Sequence, residues 1–154
     1  MVPIAFGTET DCSVISPGMV NGVVAIKPTV GLTSRSGVIP ISETQDSVGV
    51  YGRCVADAAR ALDAVAGEDP EDKFSTSPSR RQPKSYYSCL TDKIALKGAR
   101  FGVPMTRLWD VAPAPQREVA ERVLRLIEAA GATIIPVDMP SAEERLREDG
   151  VWDW

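Results

Sequence analysis

The sequence contains no histidine in its 154 residues. That absence excludes the Ser-His-Asp triad, the Cys-His pair and every imidazole-based metal site. A serine nucleophile in this chain must take its base from a lysine, a carboxylate or a hydroxyl relay. Cysteine is scarce as well. Cys12, Cys54 and Cys89 are widely spread, with no close pair and no metal-ligand spacing. Such a set is no disulfide framework, and its default setting is a reducing, cytoplasmic one. No metal and no cofactor is expected. Long apolar runs are missing, so no segment reads as a bilayer span. No basic region followed by an apolar stretch marks a signal peptide. An excess of one charge is missing too: the net charge of −4 is mild and speaks against nucleic acid as the main partner. What is present is an average globular composition, 44% apolar and 25% charged, long enough for one domain with a core.

One stretch stands out. Gly7-Thr8-Glu9-Thr10-Asp11-Cys12-Ser13 follows the apolar run Val2 to Phe6 and leads to Pro17. Hydroxyls, carboxylates, a thiol and a glycine crowd together where neither a core strand nor a plain helix would want them. A polar turn after a buried strand accommodates the mixture, and α/β proteins place their chemistry in such turns. Successive backbone N–H groups in a tight turn converge on one point and hold an anion. Ser13 would then stand beside an oxyanion hole, with Glu9 and Asp11 turned away to bond the turn's own backbone. A polar connecting turn with no chemistry fits the same spacing. Lys27 is the nearest basic residue in sequence, and its place at a strand end puts its amine in water.

The remaining elements follow from periodicity. Val23 to Ile26 and Val48 to Tyr51 read as short strands, and Val14 to Gly22 as a brief helical turn at most. Gly31 to Ser47 reads as surface loop with a short strand at Val38 to Ile41. Cys54 to Ala66 has the spacing of a helix, with Gly67 as its stop and Arg53 placed to pair with Asp57. Glu68 to Asp92 is a polar excursion in which Arg80, Arg81 and Lys84 form a solvated face. Ala99 to Pro104, Gln116 to Ala130 and Thr133 to Val137 make a strand–helix–strand unit with parallel strands and a right-handed crossover. In that helix Val119, Val123, Leu126, Ile127 and Ala130 share one face, with Pro115 in the first turn and Gly131 at the end. Ser141 to Glu148 reads as a polar helix. Trp152 and Trp154 at one end and a strand opening at Met1 at the other read as cuts through a larger domain.

The Gly7–Ser13 stretch resembles the core signature of the amidase signature family, Gly-Thr-(Asp/Glu)-Thr-(Gly/Asp)-Gly-Ser. The likeness continues through Asn21-Gly22-Val23-Val24-Ala25-Ile26-Lys27-Pro28-Thr29, Gly31-Leu32, Ser36-Gly37-Val38-Ile39-Pro40 and Asp46-Ser47-Val48-Gly49. It ends at Arg53, Val55-Ala56-Asp57-Ala58 and Leu62, so that roughly residues 4–67 carry it. The resemblance implies an α/β fold, a mixed β-sheet covered by helices. The chain would be a single incomplete domain over 1–154: a signature core at 1–67, a surface excursion at 68–92 and the βαβ segment at 93–154. It further implies hydrolysis of a small-molecule amide through a serine acyl-enzyme. Ser13 falls on the nucleophile position, and Thr10, Asp11, Cys12 and Ser13 fall on the backbone positions of the oxyanion hole. The family's lysine base and bridging serine belong to motifs that would precede Met1, and Lys27 matches a different family position. Three residues depart from the pattern. Cys12 stands in place of glycine, Val50 in place of proline, and Cys54 in place of a helix-capping threonine. The resemblance therefore leaves three expectations: a fragment of an amidase, inactive alone and poorly soluble for want of sheet neighbours; a non-catalytic amidase-like binding module; or an incomplete gene model of an active enzyme.

Overall fold

The computed structural model describes residues 2–75, 84–92, 94–105, 109 and 112–138. Two compact units divide the chain, Met1–Asp92 and Lys93–Trp154. Arg80 and Arg81, the helix expected at 141–148 and the two terminal tryptophans lie outside the described residues.

In the first unit the chain runs β1 (Ile4–Glu9), α1 (Ile15–Val20), β2 (Val24–Ile26), β3 (Ser47–Gly52) and α2 (Val55–Val65). The sheet order is β1-β3-β2, with both neighbours antiparallel to β3. The first strand is longer than its apolar residues suggest. Gly7, Thr8 and Glu9 pair with Gly49, Val48 and Ser47, so the ladder of β3 carries β1 to the edge of the polar turn. Side chains alternate across a sheet, and here the two faces differ. Phe6, Val50 and Ile26 are level with one another on one face. There α2 lays Ala58, Ala61 and Leu62 beside Val50, and with Leu32 these residues form the core. Small residues bring the helix close: a Cβ on Gly52 would sit 2.6 Å from the Ala58 nitrogen. Val50, fully buried, shows why an aliphatic residue is accepted where the family pattern has proline. A proline would also forfeit a ladder N–H in a central strand. Ile4 and Phe6, on the edge strand, stay exposed.

The opposite face is packed by α1. Gly18 meets Ala25 so closely that a Cβ there would overlap it, and the Tyr51 ring lies alongside. The sequence is a poor helix former here, with Pro17 and Gly18 inside it, yet α1 extends over six residues. Pro17 is tolerated in the first turn, where its missing N–H would have no intrahelical partner.

One expectation for this unit is corrected and another refined. Val38 to Ile41 forms no strand; Ile39 and Ile41 are largely exposed, and the backbone N–H groups of Ile41 and Ser42 bond a side chain instead. The α2 stop falls at Val65, just before Gly67 as expected, but Gly67 itself does not carry it. The helix ends because Ala66 becomes extended and bridges to Thr33, while the Gly67 N–H donates to the Leu32 carbonyl at 3.0 Å. At the other end Cys54 has the extended backbone of an N-cap but makes no side-chain cap bond. Losing a hydroxyl cap typically costs about 1 kcal/mol. Arg53 and Asp57 do approach, at 3.9 Å on an exposed surface.

Residues 68–75 and 84–92 are fastened by carboxylates. Asp72 accepts from Arg35, and Asp69 accepts from Ser34 at 2.5 Å. Asp63 on α2 receives the Ser85 hydroxyl and the N–H groups of Tyr86 and Tyr87. A 3₁₀ turn at Ser88–Thr91 follows.

The second unit holds β4 (Arg100–Pro104), α3 (Ala114–Ala129) and β5 (Thr133–Val137). The two strands pair in parallel, as a strand–helix–strand unit requires. Gly131, at φ +97°, closes the helix with its N–H bonded to the Glu128 carbonyl, a left-handed stop that glycine adopts without strain. The apolar face of α3 is less covered than its pattern predicts. Ala120, Leu124 and Ile127 are half-buried, whereas Val119, Val123 and Leu126 are exposed. An apolar stripe spanning a hundred degrees or more of a helix is wider than a two-stranded sheet can cover.

Among the described residues no helix is long and apolar enough to cross a membrane, and no cluster of ligating side chains forms a metal site.

Candidate active site

The turn between β1 and α1 is pinned at both ends by carboxylates. Glu9, the last residue of β1, is buried, and its Oε2 accepts the N–H of Val14 at 2.6 Å and of Ile15 at 2.8 Å. These N–H groups open α1, whose own N-cap residue, Val14, offers no side-chain bond. The strand thus caps the helix that follows it, and this explains how so weak a helix sequence is held. The next residue, Thr10, donates its hydroxyl to Asp46 Oδ1 at 2.6 Å. Asp46 is buried, and its other oxygen accepts from Ile41 N (2.8 Å) and Ser42 N (2.9 Å). The Thr10 hydroxyl and the Ile41 N–H hold the Asp46 carboxyl below the usual range, against the effect of burial.

Between the pins stand Asp11, Cys12 and Ser13, all exposed. Cys12 has φ +59° and is the one non-glycine residue with positive φ among those described. A side chain there is strained and persists only where its surroundings over-determine the backbone. The glycine of the family pattern would adopt the same angle freely. The Cys12 thiol donates to Asp11 Oδ1 at 3.5 Å. That bond, then the Asp11 charge, push the thiol pKa up. The Ser13 hydroxyl reaches the Asp11 carbonyl at 3.3 Å, a long bond that leaves its oxygen open to solvent. Beneath it the Tyr51 hydroxyl donates to the Ser13 carbonyl at 3.2 Å. Burial, and next the Glu9 charge, raise the Tyr51 pKa, so it remains a donor at neutral pH.

The expected residues Thr10, Asp11, Cys12 and Ser13 therefore lie on one short turn. Lys27 is not brought to Ser13 by any hydrogen bond; its amine donates to the Gln45 carbonyl at 3.1 Å. Glu9 bonds the backbone of the turn, as expected, while Asp11 bonds the neighbouring thiol and not the backbone. Sequence reasoning missed Asp46 and Tyr51. Asp46 meets Thr10 across 36 positions, and a lone aspartate in a polar loop carries no sign of such a partner. Tyr51 reads only as an apolar strand residue until the sheet sets its hydroxyl under the turn.

The family profile for amidases matches residues 1–150. A Schizosaccharomyces pombe protein named as an amidase is 42% identical over the whole of this chain and 27% of its own length. A glutamyl-tRNA(Gln) amidotransferase subunit from Lactiplantibacillus plantarum is 35% identical, over 92% of this chain and 28% of that protein. The native peptide amidase of Stenotrophomonas maltophilia superposes with a TM-score of 0.81 at 40% identity, covering 95% of this chain and 29% of that one. The chain thus spans between a quarter and a third of the length of these relatives. The α/β arrangement matches theirs, and with a family match along nearly all of its length the chain belongs to the amidase family.

Proposed function

We propose that this chain carries the nucleophile segment of a hydrolase that cleaves carboxamide C–N bonds through a serine acyl-enzyme. In this reading the Ser13 Oγ attacks the amide carbonyl of a small substrate. The backbone N–H groups along Thr10 to Ser13 receive the oxyanion, and the leaving amine takes the proton that Ser13 gives up. The observation that carries the reading is the clamped turn itself. Glu9 and Asp46 direct their carboxylates to the Val14, Ile15, Ile41 and Ser42 amides and the Thr10 hydroxyl, which leaves the exposed Ser13 hydroxyl, held by its long bond to the Asp11 carbonyl, open to substrate. Each donor in such a hole contributes about 3 kcal/mol to the transition state.

A serine also needs a group to take its proton. Among the described residues the bond of the Ser13 hydroxyl is to the Asp11 carbonyl, and no lysine or carboxylate side chain bonds it. This 154-residue chain by itself is therefore expected to show no Ser13-dependent turnover of simple aliphatic or aryl amides. Assay beside a Ser13→Ala control tests this, and turnover that disappears in the control would contradict it.

A second reading, a non-catalytic amide-binding module, is favoured by Cys12, whose side chain stands beside the N–H row where the family pattern has none. Amide binding without turnover, unchanged by Ser13→Ala, would select it.

A further inference from the structure

The turn between Glu9 and Val14 keeps a strained shape; its Cys12 and Ser13 carbonyls accept from the Ser16 N–H at 2.8 Å and the Tyr51 hydroxyl at 3.2 Å, while its exposed side chains add little. Asp11, Cys12 and Ser13 are exposed, Cys12 is forced to φ +59°, and the Ser13 hydroxyl bond is long. The helix side is fixed by Glu9. On the strand side the tie is Thr10, and Thr10 is held from a different part of the chain. We propose that Asp46 is a positioning residue for the nucleophile turn, anchored by the Ile41 and Ser42 amides and setting the backbone beside Ser13 through the Thr10 hydroxyl.

Three features carry this. First, both carboxylate oxygens of Asp46 are engaged, Oδ1 by Thr10 and Oδ2 by two adjacent amides. The loop of residues 41–46 is thereby folded onto its own aspartate and serves as a rigid mount. Second, the mount is itself braced. Arg35 Nη1 donates to the carbonyls of Glu43 and Asp46, and its guanidinium is held by Asp72 and lies 4.3 Å from the Phe74 ring centroid. Third, Asp46 immediately precedes β3, the strand to which β1 is paired along its whole length. The mount and the turn therefore share one rigid support.

The proposal rests on the amidase reading only in calling the turn a nucleophile turn. The tie has a readout that needs no turnover. Cys12 sits inside the clamped turn, with Asp11 and Glu9 as the charges that raise its pKa, and Cys54 and Cys89 are exposed elsewhere. Releasing the clamp lets Cys12 leave its strained angle and its bond to Asp11. The experiment is iodoacetamide alkylation of the full chain across a pH series, with each cysteine followed by peptide mass. In Asp46→Asn and in Thr10→Val, the midpoint of the Cys12 profile is expected to fall toward that of an ordinary thiol, and its rate at neutral pH to rise several-fold. Thr10→Ser, which keeps the hydroxyl, is expected to retain the parent profile. The double variant Asp46→Asn/Thr10→Val is expected to shift no further than either single one, as for two ends of one interaction. A Cys12 profile unmoved in Thr10→Val, or one that moves together with those of Cys54 and Cys89, would overturn the proposal. Should Asp46→Asn fail to fold, the pair of Thr10 variants still decides. Neither outcome bears on whether Ser13 is the nucleophile, which the amide assay reads separately.

Discussion

Leu62→Ala is expected to lose about 2–5 kcal/mol of stability, the range for emptying a leucine site in a packed core. The core of the first unit makes the loss severe. Its buried members are Leu32, Val50, Ala58, Ala61 and Leu62, and only the two leucines are large. Ala58 and Ala61 are small because α2 approaches β3 closely, as the 2.6 Å that a Cβ on Gly52 would leave to the Ala58 nitrogen shows. The partly buried Ile26, Val65 and Tyr86 packed around the cluster collapse only in part into an emptied leucine site. Against a typical total of about 5–15 kcal/mol, such a loss takes away much of the unit's stability. Urea unfolding followed through the tyrosine signal measures it, because all three tyrosines lie in residues 1–92 and all three tryptophans beyond them. Leu126→Ala is the contrast. Leu126 is 64% exposed on α3, and its removal is expected to stay within about 0.5 kcal/mol. Equal losses for the two variants would mean that Leu62 is not the centre of the core.

The second large effect is acid sensitivity. Asp46, Asp63, Asp69 and Asp72 all have carboxyls held below the usual range. For Asp46 the first cause is the Thr10 hydroxyl, for Asp63 that of Ser85, and for Asp69 that of Ser34. For Asp72 burial works the other way, and Arg35 with the Phe74 N–H outweighs it. A depressed folded-state pKa means that the folded chain binds fewer protons than the unfolded one near pH 4. The stability these groups contribute is complete above the unfolded value of about 3.9 and is lost as pH falls through the folded values. The thermal midpoint is therefore expected to be level from about pH 8 to 5 and to fall steeply below about pH 4. All four residues lie in the first unit, so the tyrosine signal should respond before that of the tryptophans. A midpoint that holds or rises below pH 4 would contradict this.

The regular elements were legible because each has a period or a stop of its own. Val55 to Val65 and Ala114 to Ala129 repeat apolar residues at helical spacing, and Val24 to Ile26 and Thr133 to Val137 are short β-branched runs. Other features depend on partners far away in sequence. The continuation of β1 through Gly7, Thr8 and Glu9 is imposed by the ladder of β3. The full length of α1 depends on Glu9 capping it from the preceding strand. Val38 to Ile41 looks like a strand by composition, but the Ile41 amide is drawn to Asp46. At the site, the residues of the turn could be named from their local chemistry, whereas the residues that hold it could not. A hydroxyl–carboxylate bond across 36 positions leaves no local trace.

Ser13 as the attacking hydroxyl is the central claim, and a chimaera tests it most directly. This chain, placed in the Stenotrophomonas maltophilia peptide amidase in exchange for the segment it superposes on, is supplied with the remaining part of the fold. The folded chimaera is expected to hydrolyse a peptide amide, and its Ser13→Ala form to lose about a millionfold in kcat. A folded chimaera whose turnover is the same with and without the Ser13 hydroxyl would contradict the claim.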